Sequence, residues 1–141
     1  MSVFDLETAA GAAAEAAMSS HRVGWLTTVA RDGTPQSSVM AFLWDGEVIT
    51  VLSEPEAPKV INLVENHRCS FHLNCDDLGM RAVAVEGTAH LPPGPPSEEV
   101  AAAFLGKYRA ILSDEWNMDP DETLAAYSQV IVITPRRVRV W

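Results

Sequence analysis

The chain has 141 residues, of which 48% are hydrophobic and 21% are charged, and its formal net charge is −9. These totals predict one globular domain over residues 1–141. They argue against nucleic-acid binding, because a nucleic-acid binder needs a basic surface that displaces counterions from the phosphates.

The first element expected is an alanine-rich helix over residues 5–18, with Asp5 as its N-cap. Glu7 and Glu15 lie within it and no basic segment precedes it, so it does not read as a signal peptide. No apolar run is long enough to span a bilayer, so no membrane partner is expected. Two cysteines, Cys69 and Cys75, suit a reducing compartment, and we expect a cytoplasmic protein.

Three apolar strands are expected next, over residues 23–30, 36–44 and 47–52. Asp32-Gly33 and Asp45-Gly46 separate them, and Asp-Gly between apolar runs is a strong hairpin signal. The pattern therefore predicts an antiparallel meander.

A helix over Pro58 to Glu65 follows, and it carries Lys59 in its first turn. Ala57 offers no capping side chain, and a cation at this position opposes the helix dipole unless an anion offsets it. Ser53 ends the preceding strand and could donate its hydroxyl to the same anion. The sequence thus suggests a phosphate site, and the alternative is a solvated surface lysine.

The rest of the chain predicts strands over residues 68–75 and 80–91, the second with a bulge at Gly87. A helical insertion over residues 97–126 follows, with Ser97 and Asp119 as N-caps. Two last strands are expected over residues 129–134 and 137–141. Together these elements predict a mainly β protein with flanking helices, whose antiparallel strands form a closed or partly closed barrel over residues 23–141.

No catalytic or metal-ligating set is evident in the sequence. The four histidines lack metal-ligand spacing, and Cys69 and Cys75 fall on one apolar strand face, where we expect buried thiols. No nucleophile motif or glycine-rich phosphate loop is present. The catalytic residues stay unknown, which favours chemistry carried by a cofactor.

Several segments resemble a known family. They are Trp25-Leu26-Thr27-Thr28-Val29, Asp32-Gly33-Thr34-Pro35-Gln36, Phe42-Leu43-Trp44-Asp45-Gly46, Ser53 with Lys59 and Asn62-Leu63, Val85-Glu86-Gly87-Thr88-Ala89, and Thr134-Pro135-Arg136-Arg137-Val138-Arg139-Val140-Trp141. Their order and spacing are similar to those of the pyridoxamine 5′-phosphate oxidase-like group, the FMN-binding split β-barrel superfamily. The resemblance is strongest to its actinobacterial coenzyme F420-dependent oxidoreductases.

The resemblance implies a six-stranded antiparallel split β-barrel that forms a homodimer, with cofactor grooves between the protomers. It implies that Ser53 and Lys59 bind the cofactor phosphate with Asn62 nearby, and that the backbone of Val39, Met40 and Ala41 follows the ring. Relatives often carry a large aromatic residue where this chain has Ala41, so a wider ring pocket is expected.

The function expected from this resemblance is hydride transfer from reduced deazaflavin (coenzyme F420) to a small unsaturated acceptor. One alternative is an FMN-dependent reductase or oxidase. Another is a non-catalytic split barrel that holds a cofactor or haem, with His72 or His90 as candidate axial ligands. A homodimer is also expected from the apolar strand 130–133 and from Trp141, which exceed what one thin core needs.

Overall fold

The protein is described here by a computed structural model that covers residues 2–141. Its four helices are α1 (Ala9–Ser20), α2 (Pro58–Glu65), α3 (Glu98–Asp114) and α4 (Pro120–Ala126). Its seven strands are β1 (Gly24–Val29), β2 (Pro35–Met40), β3 (Leu43–Trp44), β4 (Ile49–Ser53), β5 (Arg68–His72), β6 (Val83–His90) and β7 (Gln129–Val140). The expected mainly β fold with flanking helices is therefore confirmed.

All seven strands belong to one antiparallel sheet in the order β2-β1-β5-β6-β7-β4-β3. The two edge strands, β2 and β3, follow each other in the chain with only Ala41 and Phe42 between them. Three Cα–Cα steps of about 3.8 Å cannot separate Met40 from Leu43 by more than about 11 Å. The sheet must therefore curl until its edges meet at this end, which gives the split barrel. We call Ala41–Phe42 the seam.

The seam corrects two expectations. The single strand predicted over residues 36–44 is two strands on opposite edges, so the β1–β2 and β3–β4 hairpins form as expected but the continuous meander does not. The reason is that Phe42 leaves the sheet to enter the core, where it is completely buried. Both Asp-Gly turns are present, with positive φ at Gly33 and Gly46.

The strand count is seven rather than six, and the last two predicted strands are one, β7. Pro135, which has no N–H to donate, pairs with Gly87 at a register shift between Glu86 and Gly87. The bulge predicted at Gly87 thus accommodates the proline, and β7 continues through it.

The N-terminal helix begins later than expected. Thr8, not Asp5, is the N-cap of α1, because the Thr8 side chain accepts a hydrogen bond from the N–H of Gly11. The Asp5 carbonyl instead accepts from the N–H and hydroxyl of Thr8, which forms a turn ahead of the helix. The caps of α3 and α4, Ser97 and Asp119, are as predicted.

The cysteines differ from the expectation in one respect. Cys69 is buried, and burial raises the pKa of its thiol to about 11. Cys75 is exposed. The strand β5 ends at His72, so the alternation that would have placed Cys75 on the buried face stops before it. Neither cysteine is in a disulfide.

The core has two parts. The larger fills the barrel and includes Leu26, Phe42 and Phe71. The smaller lies between α3 and the outside of the sheet and is built from Leu52, Phe104, Tyr108, Leu112 and Val130. Within residues 2–141, no helix is both long and apolar enough to cross a membrane. The second core packs α3 beside the seam, which builds a cleft there.

Candidate functional site

A cleft of about 810 Å³ opens between the seam, the first turn of α2 and the helices α3 and α4. This volume lies near the upper end of the range typical of small-molecule sites. Its two walls differ in origin. The strand wall, from β2, the seam, β4 and the start of α2, contributes Val39, Met40, Ala41, Leu52, Ser53, Glu54, Glu56, Ala57, Pro58 and Lys59. The helical wall, from α3, α4 and their flanks, contributes Phe104, Leu112, Trp116, Met118, Thr123 and Tyr127.

Five of the six residues predicted to bind a cofactor line this one cleft: Val39, Met40, Ala41, Ser53 and Lys59. The fold brings them together because β2 ends at the seam, while β4 ends where α2 begins. In addition, β2 is an edge strand, so one side of its backbone has no strand partner. The strand wall can therefore offer main-chain groups to a ligand.

The first turn of α2 can accept an anion. Its N-cap residue, Ala57, makes no side-chain cap, and Pro58 occupies the first helical position. The first turn contains no acidic residue. Amide groups at an uncapped helix start carry partial positive charge and need an acceptor. Pro58 has no N–H, and the N–H groups of Val60 and Ile61 both donate to the Ala57 carbonyl oxygen. Among the described residues, the Lys59 N–H is therefore the amide of this turn that is left for water or an anion.

Lys59 is partly buried at the same place, and burial lowers the pKa of its ammonium group, while the nearby Glu54 opposes this by raising it. Among the described residues, no carboxylate lies within salt-bridge distance of Lys59. A partly desolvated cation without a close counter-ion is favourable for binding a phosphate group. Lys59 also borders a smaller cleft of about 450 Å³ that contains Gln36 and Ser38.

Ser53 has a different geometry from the one expected. Its side chain is buried, and its hydroxyl donates to the carbonyl oxygen of Glu54 at 2.9 Å. A serine hydroxyl has one proton, so in this orientation Ser53 does not donate to an anion. Donation to a phosphate would require rotation of the side chain.

Asn62 does not line the large cleft. Its side-chain amide is buried and donates to Thr28 Oγ1 at 3.0 Å and to Gln36 Oε1 at 2.8 Å. These two bonds fasten α2 to β1 and β2. Asn62 therefore positions the helix that carries Lys59, three residues earlier.

The backbone of the seam is held from the helical side. The Tyr108 hydroxyl accepts from the N–H of Phe42 at 2.9 Å and lies 2.8 Å from the carbonyl oxygens of both Phe42 and Arg22. Its single proton serves one of these carbonyls at a time. Lys107 Nζ donates to the Phe42 carbonyl at 2.9 Å and lies 4.2 Å from the centre of the Phe42 ring. We call Tyr108 and Lys107 the seam clamp.

Ala41 packs against the second core, which includes Phe104 and Tyr108. Ala41 also lines the cleft, so this small residue is packed on one side and borders open space on the other. The signal for this contact is the apolar spacing of Phe104, Tyr108 and Leu112 along one face of α3. That spacing predicts a packed helix but does not say which strand segment it contacts.

Metal-binding groups are scarce in this part of the molecule. No cluster of three or more His, Cys, Asp or Glu suited to a metal ion occurs within residues 2–141. The cleft lining includes neither histidine nor cysteine among these residues. His72 lies on the exposed face of β5, where its ring stacks 6.4 Å from that of Trp25, and His90 is exposed at the end of β6.

The sheet order, the seam and the cleft beside it define a split barrel of the kind that binds cofactors. A family model described as pyridoxamine 5′-phosphate oxidase matches residues 10–141. The chain belongs to the pyridoxamine 5′-phosphate oxidase family, in agreement with the resemblance seen in its sequence.

Solved structures agree with this assignment. A conserved hypothetical protein from Mycobacterium tuberculosis is 28% identical with a TM-score of 0.72, and the match covers 95% of this chain and 84% of that one. An F420 reductase is 26% identical with a TM-score of 0.66, covering 89% of this chain and 94% of that one. A haem-binding protein from Mycobacterium smegmatis is 26% identical with a TM-score of 0.63, covering 92% of this chain and 53% of that one. Similar chains therefore include a reductase and a haem binder.

Proposed function

We propose that this protein is an oxidoreductase that holds the deazaflavin coenzyme F420 in the large cleft and reduces a small unsaturated acceptor. The observation that carries the proposal is the strand wall itself. Lys59, the uncapped start of α2 and the free edge of β2 border one cleft, so a phosphate anchor and a backbone surface for a flat ring lie side by side. The similarity to an F420 reductase supports the choice of cofactor.

In this proposal the ammonium group of Lys59 and its backbone N–H, in the first turn of α2, bind the cofactor phosphate. Asn62 fixes α2 through Thr28 and Gln36, so the lysine is held in place without contacting the ligand itself. The backbone of residues 39–41 orients the ring. A bound reduced deazaflavin supplies a hydride, which is two electrons with one proton, and solvent supplies the second proton.

FMN is the second candidate cofactor, because the same phosphate anchor and ring surface would serve it. The absorbance spectrum of protein purified from a host that makes deazaflavin tests the choice. We expect a single near-violet band, whereas two bands typical of a yellow flavin would identify FMN instead. Titration of the apoprotein with each cofactor then compares their dissociation constants directly.

Haem storage is the third hypothesis for the function. It has the support of the similar haem-binding protein, but neither candidate axial histidine, His72 or His90, lines the cleft. A sharp Soret band in the purified protein would favour it. If one of these two histidines ligates the iron, its replacement by alanine should remove that band, and replacement of the other should not. The two variants are His72→Ala and His90→Ala.

We also propose that the protein acts as a homodimer, although one expected reason for it is wrong. Val130, Ile131 and Ile133 of β7 are buried within the protomer, because α3 covers one face of that strand and the barrel core covers the other. Trp141, the other expected reason, is 56% exposed. Further exposed apolar side chains include Val39 beside the cleft (52%) and, on α2, Ile61 (59%) and Val64 (62%).

A dimer that covers Val39 and the outer face of α2 would close the strand wall from outside. Light scattering tests the oligomeric state, and cofactor titration at falling protein concentration tests whether the site is shared. Affinity should fall as dimers dissociate. A monomer that binds cofactor with full affinity would contradict both the dimer and the shared site.

A further inference from the structure

We propose that the helical wall of the cleft binds the acceptor, and that the acceptor is a flat, conjugated and uncharged carbonyl compound that stacks on Trp116. This inference rests on the proposed function, because it assigns the second molecule of that reaction. Three features of the described residues carry it: a rigidly held indole, the separation of charge within the cleft, and an unused hydroxyl.

Trp116 is held in place although it follows the end of α3. Its ring stacks on the completely buried Tyr108, with centroids 5.9 Å apart and planes inclined by 22°. The backbone N–H of Trp116 donates to the Ile111 carbonyl oxygen, and Asn117, in the left-handed region at φ 53°, turns the chain back toward the helix. Trp116 is nevertheless 38% exposed and lines the cleft. A fixed, partly exposed indole is a ready surface for a second flat ring.

The charges of the cleft all lie on the other wall. Glu54, Glu56 and Lys59 surround the start of α2, whereas the helical wall contributes no ionisable acid or base besides the phenol of Tyr127. An anionic or cationic acceptor would find no partner among these apolar side chains and would lose hydration on entry. The helical wall therefore favours an uncharged molecule.

Tyr127 gives this wall one polar group. Its hydroxyl makes no hydrogen bond with another residue in the range 2–141, whereas the Thr123 hydroxyl already donates to the Asp119 carbonyl at 2.7 Å. Phenolic hydroxyls in apolar sites usually find a partner. A carbonyl oxygen on the acceptor fits this donor, and a conjugated carbonyl compound combines it with the flatness that Trp116 selects.

Two ketones of matched skeleton test the stacking. The probes are 2-acetylnaphthalene, which is planar, and its fully saturated analogue 2-acetyldecalin, which is not. Ligand-detected NMR titration of the whole protein measures both dissociation constants. Aromatic stacking adds about 0.5–1.5 kcal/mol beyond buried area, so the protein should prefer the planar ketone by about 2- to 12-fold.

Trp116→Leu should abolish this preference, and Trp116→Phe should retain most of it. Trp141→Leu is the matched control, since Trp141 is also partly exposed but does not line this cleft. A preference that persists in Trp116→Leu, or that is lost equally in Trp141→Leu, overturns the inference. Circular dichroism of each variant checks its fold, and Trp116→Ala, which also removes the ring, takes the place of the leucine variant if that one does not fold.

Tyr127→Phe tests the carbonyl contact separately. It should weaken binding of 2-acetylnaphthalene several-fold and leave binding of 2-ethylnaphthalene, which has no carbonyl, unchanged. Equal effects on both probes would overturn the role of the hydroxyl.

Titration of the same variants with F420 and FMN separates this inference from the proposed function. Cofactor affinity should be little changed by Trp116→Leu. If it falls while the naphthyl preference stays, Trp116 belongs to the cofactor ring and the inference is wrong. If neither cofactor binds the unmodified protein, the proposed function fails whatever the naphthyl probes show.

Discussion

The two walls of the cleft are built by different means. The strand wall consists of short segments whose positions follow from local signals: a hairpin, an edge strand, and a helix that opens on Ala57-Pro58-Lys59. The helical wall consists of single side chains from two helices and the segments beside them, such as Phe104 and Tyr127, which only packing brings together. The strand wall carries the charged groups of the cleft, and the helical wall is mainly apolar. We therefore expect changes in the strand wall to affect cofactor binding and changes in the helical wall to affect acceptor binding.

The largest expected effect concerns the strand wall. Lys59→Ala should raise the dissociation constant of the cofactor by roughly tenfold to a hundredfold, since one charge-assisted phosphate contact contributes about 1.5–3 kcal/mol. Stability should change little, because Lys59 has no close counter-ion among the described residues. Fluorescence titration with F420 and FMN measures the change.

The matched control is Arg31→Ala, which removes a cation that pairs with Glu65 at the far end of α2, 2.9 Å away. It should leave cofactor affinity unaltered. Equal losses in both variants would mean that overall charge, rather than a local anchor, governs binding. Unchanged affinity in Lys59→Ala would place the phosphate elsewhere.

Tyr108→Phe should lower the free energy of unfolding. Burial raises the pKa of the Tyr108 phenol to about 12, so the hydroxyl stays protonated under ordinary conditions. Its removal leaves the Phe42 N–H in the seam without its partner, at a cost of about 1–3 kcal/mol. Urea unfolding measures this loss, and Tyr127→Phe, which breaks no bond between described residues, should cost less than about 0.5 kcal/mol.

Ala41→Trp tests the packing at Ala41, where the strand wall meets the second core. Because Ala41 already packs against the second core, an added indole would overpack that side, and overpacking costs typically about 1–3 kcal/mol. We expect a lower melting temperature. Tighter cofactor binding without loss of stability would show instead that the space beside Ala41 is vacant, as the sequence alone suggested.

The smallest effect is a dependence of cofactor affinity on alkaline pH. Burial lowers the pKa of Lys59 below its usual 10.5, so the ammonium group loses its charge earlier than a free lysine does. Affinity should therefore be steady near neutral pH and decline as pH rises through this lowered pKa. Lys59→Arg stays charged throughout and should remove the decline. A decline of the same size in Lys59→Arg would assign it to another group.

The sequence predicted most of the strand wall because its signals are local. Asp-Gly turns set the hairpins, Gly87 marked the bulge, and the missing cap of α2 at Ala57 was evident from the residue type. The division of strand 36–44 at the seam was not predicted, because residues 39–44 form an almost continuous apolar run. Only the burial of Phe42 and its bond to Tyr108, 66 positions away, ends β2 at Met40.

Side-chain roles were harder to predict than positions. Ser53 and Asn62 lie near the expected place, yet one donates to its neighbour's carbonyl and the other to Thr28 and Gln36. The helical wall was missed as a site, since Trp116 and Tyr127 stand in segments whose local patterns indicate only helix ends. Which strand such residues face depends on contacts that no local pattern encodes.

Ligand binding at the seam should also oppose opening of the barrel. Only two residues, Ala41 and Phe42, link the opposite sheet edges β2 and β3, so a fluctuation that parts these edges must move both residues. A ligand resting on Ala41 opposes that motion. At one hundred times its dissociation constant it would contribute about 2.7 kcal/mol, and exchange of the Phe42 amide with solvent deuterium would slow about a hundredfold.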